Sequence, residues 1–447
     1  MEVHMARNTL SSKQSLFVGI TLFSMFFGAG NLIIPPLFGL QAGADVVPAM
    51  AGFLITGIGL PVLGIIAVGM AGDIRRLASR VHPVFASVFV AVVYLAIGPC
   101  LAIPRTSSTS FEMFEPLLPA GISVEAARLV FSIAFFAIAY LLAMRPGALT
   151  RLLGRVTGPL LIVLLVFVIG AAVLDFDYVG GSAYAAGEAT PVMTGFLTGY
   201  QTMDLLASLT FGIVIATNVR ELGTTDDAGL AREVSRAGVF AGLLMGIVYC
   251  GLSVVGLDAL SDLPGATNGA EILAASAGAH FGVAGTAIVA LIFLLACLNV
   301  CIGLISCCGS YFSQTAPRVP YRVWALGFAV FSCVVSNFGL DAILAFSVPL
   351  LNALYPMAIV LVLMGMMHRG CDLVPSVWPW AMVCTGAASI ATALRDAFFA
   401  GAWLPFDALP FADIGMGWVL PALLGMAIGI ARSGIRAQVD SQESFVE

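Results

Sequence analysis

Charged residues are scarce in this chain. Only 10% of its 447 residues are Asp, Glu, Lys or Arg, and Lys13 is the single lysine, whereas soluble globular chains contain about 25% charged residues. Hydrophobic residues make up 60%, and the mean hydropathy is +1.03. So much apolar surface would aggregate on a soluble globule. The composition therefore excludes a cytosolic enzyme, a nucleic-acid binder, a disordered protein and a secreted disulfide scaffold. It leaves an all-α polytopic membrane protein.

Catalytic and nucleotide-binding motifs are also missing from the sequence. The four histidines fall at ends and in loops. There is no Gly-x-x-x-x-Gly-Lys-Ser/Thr phosphate loop and no repeated arginine ladder of a voltage sensor. We therefore expect no enzyme activity, no cofactor, no nucleic-acid partner and no obligate protein partner. A carrier driven by an ion gradient, embedded in the lipid bilayer, is the class that remains.

Twelve apolar stretches are bounded by charged or Pro/Gly-rich segments. One spanning helix uses about 20 residues, so the chain has room for twelve spans and no soluble domain. They lie near 14–43, 46–70, 84–104, 124–143, 156–174, 195–219, 237–257, 284–311, 322–338, 340–367, 376–394 and 415–432. A count of eleven stays open, because only residues 337–341 separate the ninth stretch from the tenth.

The basic residues predict the orientation of these spans. With a cytoplasmic N-terminus, sixteen of the nineteen lysines and arginines fall on the inner side, and only Arg105, Arg128 and Arg395 fall outside. Because positive residues favour the cytoplasmic side, both termini are predicted to be cytoplasmic. An N-terminal segment, 1–13, and a disordered C-terminal tail, 433–447, flank the spans.

A helix break is predicted within the first span. Gly28 and Gly30 weaken the helix, Asn31 can cap a new one, and Pro35–Pro36 are tolerated only in a first turn. The helix is expected to stop near Phe27 and to restart between Asn31 and Pro35. Backbone groups freed there must face protein or a wet cavity. The new N-terminus suits a carboxylate, and the preceding carbonyls suit an ammonium or Na⁺. A kink without a ligand is the alternative.

A second break is predicted in the sixth span, where Gly199 is followed by the polar residues 200–204. Asp204 is the only carboxylate well inside a predicted span, apart from Asp341 at a junction. A buried ionisable group marks an ion or substrate path by default. The other interpretation is a neutral aspartate that braces the broken helix. Matching breaks in spans one and six suggest an inverted repeat, with repeats over 14–174 and 195–367 and two additional helices over 376–432.

Two further places carry polar residues. Ser306, in the eighth span with Asn299, offers a hydroxyl beside carbonyls, which suits Na⁺; the alternative is a bond back to its own helix. At the predicted end of the third span, Arg105 and Glu112 lie on one helix face. They are candidates for an outer gate, and an interfacial ion pair is equally compatible with their spacing.

The segment FFGAGNLIIPPLFGLQAG at 26–43 resembles the signature of the bacterial branched-chain amino acid transport system II carriers, which are cation symporters for leucine, isoleucine and valine. The resemblance continues in the same order over nearly the whole chain. It is carried by GIGLPVL (57–63), IPRT (103–106), SFE (110–112), GYQTMD (199–204), FGIV (211–214), NGA (268–270), YR (321–322), VSN (335–337), VP (348–349) and YP (355–356). The family belongs to the amino acid–polyamine–organocation superfamily. The resemblance thus implies a leucine-transporter-type fold, with a 5+5 inverted repeat and broken helices 1 and 6.

The resemblance also implies roles for individual residues. The substrate carboxylate would meet backbone at Gly28, Ala29, Gly30 and Asn31, and the ammonium and side chain would meet Tyr200, Thr202, Met203 and Asp204. A sodium ion would be held mostly by backbone carbonyls, at Ser24, Phe27, Ile302 and Ser306. Ile305 stands where many sodium carriers of this fold place a hydroxyl, which leaves Na⁺ or H⁺ open, with Asp204 as the proton candidate.

The function expected from these features is a secondary symporter in the bacterial inner membrane that imports branched-chain amino acids by alternating access. Spans 1, 2, 6 and 7 would move against spans 3, 4, 8 and 9. Two alternatives stay open: a carrier of the same fold for another amino acid, an amine or a nucleobase, and a non-concentrating channel or sensor.

Overall fold

A computed structural model describes residues 10–119, 121–145, 149–176, 190–224, 226–263, 265–399, 402–412 and 414–443. Helices dominate these ranges. Their bounds are α1 (Ser12–Phe26), α2 (Ala29–Ala42), α3 (Val46–Leu54), α4 (Leu60–Ala71), α5 (Ile74–Ser79), α6 (Pro83–Leu95), α7 (Ala102–Phe114), α8 (Val124–Ala143), α9 (Leu149–Leu152), α10 (Gly158–Leu174), α11 (Pro191–Tyr200), α12 (Asp204–Glu221), α13 (Asp227–Asp258), α14 (Gly269–Phe281), α15 (Val283–Thr315), α16 (Tyr321–Ser336), α17 (Leu340–Met366), α18 (His368–Cys371), α19 (Val377–Phe398) and α20 (Val419–Glu443). Single π-helical turns over Ile55–Gly59, Ala96–Cys100 and Leu153–Thr157 join α3 to α4, α6 to α7 and α9 to α10.

The helices account for the predicted spans. By length and composition, eight helical stretches of the described chain can cross a membrane, and two bent pairs add one span each. The pairs are α1 with α2, bent by 73°, and α11 with α12, bent by 42°. Two shorter apolar stretches, α16 and the first part of α20, fall on the remaining predicted spans. The prediction of about twelve helices, with the first and sixth spans broken, is confirmed.

The third span is longer than predicted. It was expected to end at residue 104, but the chain continues as α7 and a short 3₁₀ turn to Leu117. The predicted end was wrong because the Ser/Thr run at 106–110 is polar in composition, yet all five residues are buried. Arg105 therefore lies within a helix and not in an outer loop.

Two other segments also differ from the sequence expectation. Helix α14 lies in what was expected to be an outer loop; it is capped by Asn268, whose side chain accepts a hydrogen bond from Ala270 N at 3.0 Å, and its 13 residues are too few to span a bilayer. Helix α20 continues to Glu443, through most of the segment predicted as a disordered tail. Residues 444–447 lie outside the described ranges.

The chain divides into two compact units. The first comprises residues 1–65 and 94–344 and contains both broken spans together with α7, α13 and α15. The second comprises residues 66–93 and 345–447. Inside the second unit, Arg80 forms a salt bridge with Asp372 at 3.3 Å and lies over the Trp378 ring at 5.5 Å.

Within the first unit, α2 packs directly on the backbone of α13. A Cβ at Gly39 would lie 2.0 Å from the Ser253 carbonyl oxygen, and one at Gly256 would lie 1.7 Å from the Pro36 carbonyl oxygen. Only glycine permits this approach, and small residues are the usual means of close helix packing in membranes. The Ser253 hydroxyl also donates to the Pro35 carbonyl at 3.1 Å. The position of α2, and so of its N-terminus, is set by these contacts.

Candidate functional site

The first broken span restarts earlier than predicted. Helix α1 ends at Phe26 with Phe27 in an extended conformation, and α2 begins at Ala29, directly after Gly28. The restart was expected between Asn31 and Pro35; instead Pro35–Pro36 lie in the interior of α2. Interior prolines are tolerated in membrane helices when neighbours satisfy the carbonyls they leave unpaired.

The first backbone N–H groups of α2 have no acceptor within their own helix. The Asn31 side chain folds back, and its Oδ1 accepts a hydrogen bond from Gly28 N at 3.0 Å. Leu32 N donates to Gly28 O at 3.2 Å and is the first N–H of the helix with a backbone acceptor in its own turn. The N–H groups of Ala29, Gly30 and Asn31 precede it, so they have no acceptor within the helix. They form a partially positive end that suits an anion.

The second broken span restarts at Asp204. Its cap residue, Met203, has φ +65°, a left-handed conformation that costs about 1–3 kcal/mol for a residue other than glycine. Just before it, the Thr202 hydroxyl donates to the Gly199 carbonyl at 2.9 Å. Asp204 is therefore in the first turn of α12, where the helix dipole stabilises a negative charge.

A hydrogen-bonded cluster joins the two breaks to α13. Asp204 Oδ2 accepts from Asn31 Nδ2 at 2.7 Å and from the Tyr249 hydroxyl at 2.9 Å. Asn31 Nδ2 also makes a short hydrogen bond to the Tyr249 hydroxyl. Both Asn31 and Asp204 are 2% exposed, and Tyr249 is fully buried. The cluster keeps an acidic side chain in the protein interior without a salt bridge among the described residues.

One cavity in the first unit lies between the two breaks. Its lining residues are Met25, Phe26, Gly28, Ala29, Gly30, Asn31, Ile97, Ala102, Arg105, Thr106, Thr202, Met203, Asp204, Ala207, Phe211, Val300 and Leu304.

Seven of the eight residues that the resemblance implied for the substrate line this cavity. They are Gly28, Ala29, Gly30, Asn31, Thr202, Met203 and Asp204. Tyr200 is not among the lining residues; its ring packs edge-on against Phe196, with centroids 5.5 Å apart.

The remainder of the cavity wall is mostly apolar. Phe26 and Phe211 meet edge-on at 5.0 Å between ring centroids, and Val300 and Leu304 come from α15. A Cβ at Gly28 would lie 2.8 Å from Val300 Cγ2, so α15 packs tightly on the first break. The cavity thus combines polar groups at the helix breaks with a surface suited to an aliphatic side chain.

Arg105 also lines the cavity. A Cβ built at Gly30 would lie 3.4 Å from Arg105 Nη2, so the guanidinium lies over the first turn of α2. In the described part of the chain, no salt bridge joins Arg105 to Glu112, and Glu112 does not line the cavity. The gate role suggested for this pair stays a prediction.

The residues implied for the ion do not line the cavity. Ser24 and Ser306 are fully buried, and within the described ranges neither hydroxyl has a hydrogen-bond partner. On α15, Gly303 faces α1, because a Cβ there would lie 3.0 Å from Met25 Cγ. Phe27 is fully buried at the end of α1, and Ile302 is buried on α15. The ion site therefore stays a prediction.

Sequence reasoning missed two parts of the site. Tyr249 was not singled out, although a tyrosine in the middle of the apolar seventh span is a signal of the same kind as Asp204. Arg105 was assigned to the membrane surface, because the predicted third span ended one residue before it. The apolar lining could not be identified, since aliphatic residues fill every span.

Comparison with known proteins gives a consistent result along the chain. The family model described as "Branched-chain amino acid transport protein" matches residues 11–435. The chain is 37% identical to the branched-chain amino acid permease BraB of Bacillus subtilis over 95% of its length and 96% of the relative. It is 38% identical to the branched-chain amino acid transport system 2 carrier protein of Pseudomonas aeruginosa, over 93% and 95%, and 35% identical to the permease BrnQ of Escherichia coli, over 94% and 96%.

Solved structures of similar fold are more distant in sequence. Mhp1, a nucleobase-cation-symport-1 family transporter in a closed conformation, matches with a TM-score of 0.59 and 13% identity over 95% of this chain and 93% of that one. A manganese transporter of Eremococcus coleocola matches with a TM-score of 0.58 and 14% identity over 94% and 95%. These likenesses confirm the predicted leucine-transporter-type fold.

The relatives are named as permeases and carriers, and the chain matches them over nearly their whole length. This confirms that the protein is a multi-pass membrane transporter and not an enzyme. The helix breaks, the buried Asn31–Asp204–Tyr249 cluster and the match over 11–435 agree with the resemblance read from the sequence. The chain belongs to the branched-chain amino acid transport protein family.

Proposed function

We propose that the protein imports leucine, isoleucine and valine together with a cation, Na⁺ or H⁺, by alternating access. The observation that carries the proposal is the cavity between the two helix breaks. There, the positive end of α2 and the Asp204 carboxylate border the same mostly apolar space. That combination matches a zwitterion with an aliphatic side chain. The names of the relatives, which specify branched-chain amino acids, support the choice of substrate.

The polar groups support one pose for the substrate. Its carboxylate accepts hydrogen bonds from the N–H groups of Ala29 and Gly30, which have no acceptor within the helix and where the helix dipole favours an anion. Its ammonium lies by Asp204, whose Oδ2 is held by Asn31 and Tyr249. The side chain then lies against the apolar wall of the cavity. One methylene in such a pocket is worth only about 1–3 kcal/mol, so leucine, isoleucine and valine are accepted together and charged side chains are excluded.

Sodium is the coupling ion that we favour, at Ser24, Phe27, Ile302 and Ser306. Two buried hydroxyls without protein partners, at Ser24 and Ser306, supply hard oxygen ligands of the kind Na⁺ takes. Protonation of Asp204 is the alternative for a proton-coupled carrier, because that carboxylate faces the substrate cavity.

The position of the proposed site at two broken helices supports alternating access. A ligand held by the α2 backbone and by the Asp204 side chain ties the two broken spans together, and it biases spans 1, 2, 6 and 7 to move as one against spans 3, 4, 8 and 9. We place the carrier in the bacterial inner membrane, with both termini in the cytoplasm as the basic residues predict.

The test is leucine uptake into proteoliposomes under an imposed Na⁺ gradient and, separately, an imposed H⁺ gradient. Concentrative uptake with one gradient, abolished by an ionophore for that ion, is the expected result, with isoleucine and valine as competitors. If neither isoleucine nor valine competes, the protein is a carrier of the same fold for another substrate. If leucine only equilibrates across the membrane under every gradient, the protein is a channel and not a symporter.

A further inference from the structure

The unassigned charge in the cavity is Arg105. It lies on α7, which belongs to neither broken span, and it lines the cavity with its helix neighbours Ala102 and Thr106. An arginine inside a membrane protein faces a polar cavity or pairs with an acid, because its isolated charge is costly there. In the described part of the chain, its Nε has no hydrogen-bond partner, and no salt bridge includes it.

The acidic residues that act on Arg105 electrostatically are Glu112 and Asp204. Asp204 borders the same cavity but forms no salt bridge with Arg105 in the described structure. Its Oδ2 accepts hydrogen bonds from Asn31 and Tyr249 instead. The cavity therefore carries one positive and one negative side chain that are not paired with each other. Such a pair of separated charges is complementary to a zwitterion.

The guanidinium is close to the backbone donors of α2. The Cβ position of Gly30 is 3.4 Å from Arg105 Nη2, and the N–H groups of Ala29 and Gly30 have no acceptor within the helix. Two kinds of hydrogen-bond donor that can bind an anion thus lie at one end of the cavity: the backbone N–H groups of α2 and the guanidinium on α7. Glycine at position 30 leaves the space between them open.

We infer that Arg105 is a substrate-binding residue and that its guanidinium pairs with the substrate carboxylate beside the N-terminus of α2. This inference rests on the proposed function and adds a second helix, α7, to carboxylate recognition. It makes Arg105 the residue that restricts the carrier to solutes with a free carboxylate. Arginine suits this role because its planar fork binds a carboxylate through two parallel hydrogen bonds.

The test compares ligands with and without a carboxylate on the purified full chain in lipid nanodiscs. Equilibrium binding of leucine and of leucinol, the amino alcohol that lacks the carboxylate, is measured for the wild type, Arg105→Gln and Arg105→Lys. Arg128→Gln is the matched control, since Arg128 lies over the Phe111 ring and does not line the cavity.

We expect Arg105→Gln to weaken leucine binding about 10- to 100-fold, the factor of a charge-assisted hydrogen bond, with leucinol binding unchanged within about twofold. Arg105→Lys is expected to lie between, because a lysine keeps the charge but not the fork. The control should keep the wild-type affinities for both ligands. Folding of each variant is checked by gel filtration, and the lysine variant decides the question if the glutamine variant does not fold.

A folded Arg105 variant with the wild-type ratio of leucine to leucinol affinity would overturn the inference. An equal loss for both ligands would also overturn it, because Arg105 would then act only on the structure or on Asp204. Failure of the proposed function looks different: the wild type itself would bind none of the three branched-chain amino acids.

Discussion

Asn31 Nδ2 lies 2.7 Å from Asp204 Oδ2, although the two residues are 173 positions apart in the chain. Each belongs to the first turn of a helix that restarts after a break, Asn31 in α2 and Asp204 in α12. The hydrogen bond therefore links the two breaks directly. Tyr249 adds α13 to the link. The adjoining cavity is lined by both restarted helices at the point where they are joined.

The charge of Asp204 is expected to be essential for substrate binding. Asp204→Asn keeps an oxygen that can accept from Asn31 and Tyr249, but it removes the negative partner of the ammonium. Losing one member of a buried charge pair costs about 3 kcal/mol or more, which is at least about a hundredfold in affinity. Leucine binding to the purified variant, measured alongside uptake, should fall by that factor.

The matched control for that substitution is Asp262→Asn, in an exposed loop. It should bind and transport leucine as the wild type does. Wild-type uptake by folded Asp204→Asn would remove Asp204 from the binding site. Loss of the folded variant from the membrane would instead indicate that Asp204 braces the broken helix.

Asn31 and Tyr249 should act on Asp204 as a unit. Asn31→Ala removes the acceptor of Gly28 N and one donor to the Asp204 carboxylate. Each buried group left without its partner costs about 1–3 kcal/mol. Tyr249→Phe removes a second donor to the same oxygen. Residues in one hydrogen-bond network show interaction energies of about 0.5–3 kcal/mol.

A double-mutant cycle on leucine affinity checks this coupling. The Asn31→Ala/Tyr249→Phe protein should lose less affinity than the sum of the two single losses. Additivity within about 0.3 kcal/mol would mean that the two side chains serve the site independently.

The apolar wall of the cavity should set the size limit for the substrate. Ala207 lines the cavity on α12, so Ala207→Leu places three additional carbons in the space for the substrate side chain. Overpacking costs about 1–3 kcal/mol. The expected result is a loss of about tenfold or more for leucine, with a smaller loss for the shorter valine.

Competition of labelled valine uptake by leucine and isoleucine measures that difference. Ala228→Leu, at an exposed position of α13, is the control and should not change the ranking. Equal losses for leucine and valine in Ala207→Leu would place the side chain of the substrate elsewhere.

Ser306 should affect the ion and not the amino acid. If its unpartnered hydroxyl contacts Na⁺, Ser306→Ala raises the Na⁺ concentration for half-maximal leucine uptake by about tenfold, the factor of one hydrogen-bond-strength contact to a charge. Leucine affinity at saturating Na⁺ should not change. Ser306→Thr keeps the hydroxyl and should be close to the wild type.

Ser332→Ala provides a second control for the ion. Its hydroxyl is likewise buried without a partner in the described ranges, but it lies on α16, which carries none of the predicted ligands. An unchanged Na⁺ dependence in Ser306→Ala, or uptake driven by H⁺ alone, would contradict the sodium assignment.

The spans and the positions of the helix breaks were predictable because both depend on local chemistry. Helix α8 covers Val124–Ala143 as predicted, since an apolar stretch of that length follows the capping residue Ser123. The break near Phe27 follows from the two glycines beside it. The exact restart of α2 did not, because Pro35 and Pro36 lie in the interior of α2, in a helix whose course is set by close packing on α13.

The partners of the site residues could not be predicted in the same way. Spacing along a helix shows which residues share a face, but not which face of another helix lies opposite. Tyr249 donates to Asp204 from 45 residues away, and Asn31 reaches Tyr249 across 218. The structure also places Arg105 inside a helix, whereas the sequence predicted the outer side of the membrane. The Ser/Thr run of α7 is buried because of its neighbours, which its own hydropathy does not reveal.

The sequence by itself determined that this protein is a helical membrane carrier with two broken spans, since a chain with 10% charged residues can be stable only where lipid covers most of its surface. Its motifs also identified the family. Tertiary structure alone decided which polar groups meet at the breaks. A buried donor or acceptor is stable only when it has a partner, and in this protein the partners of Asp204 come from helices far apart in the chain.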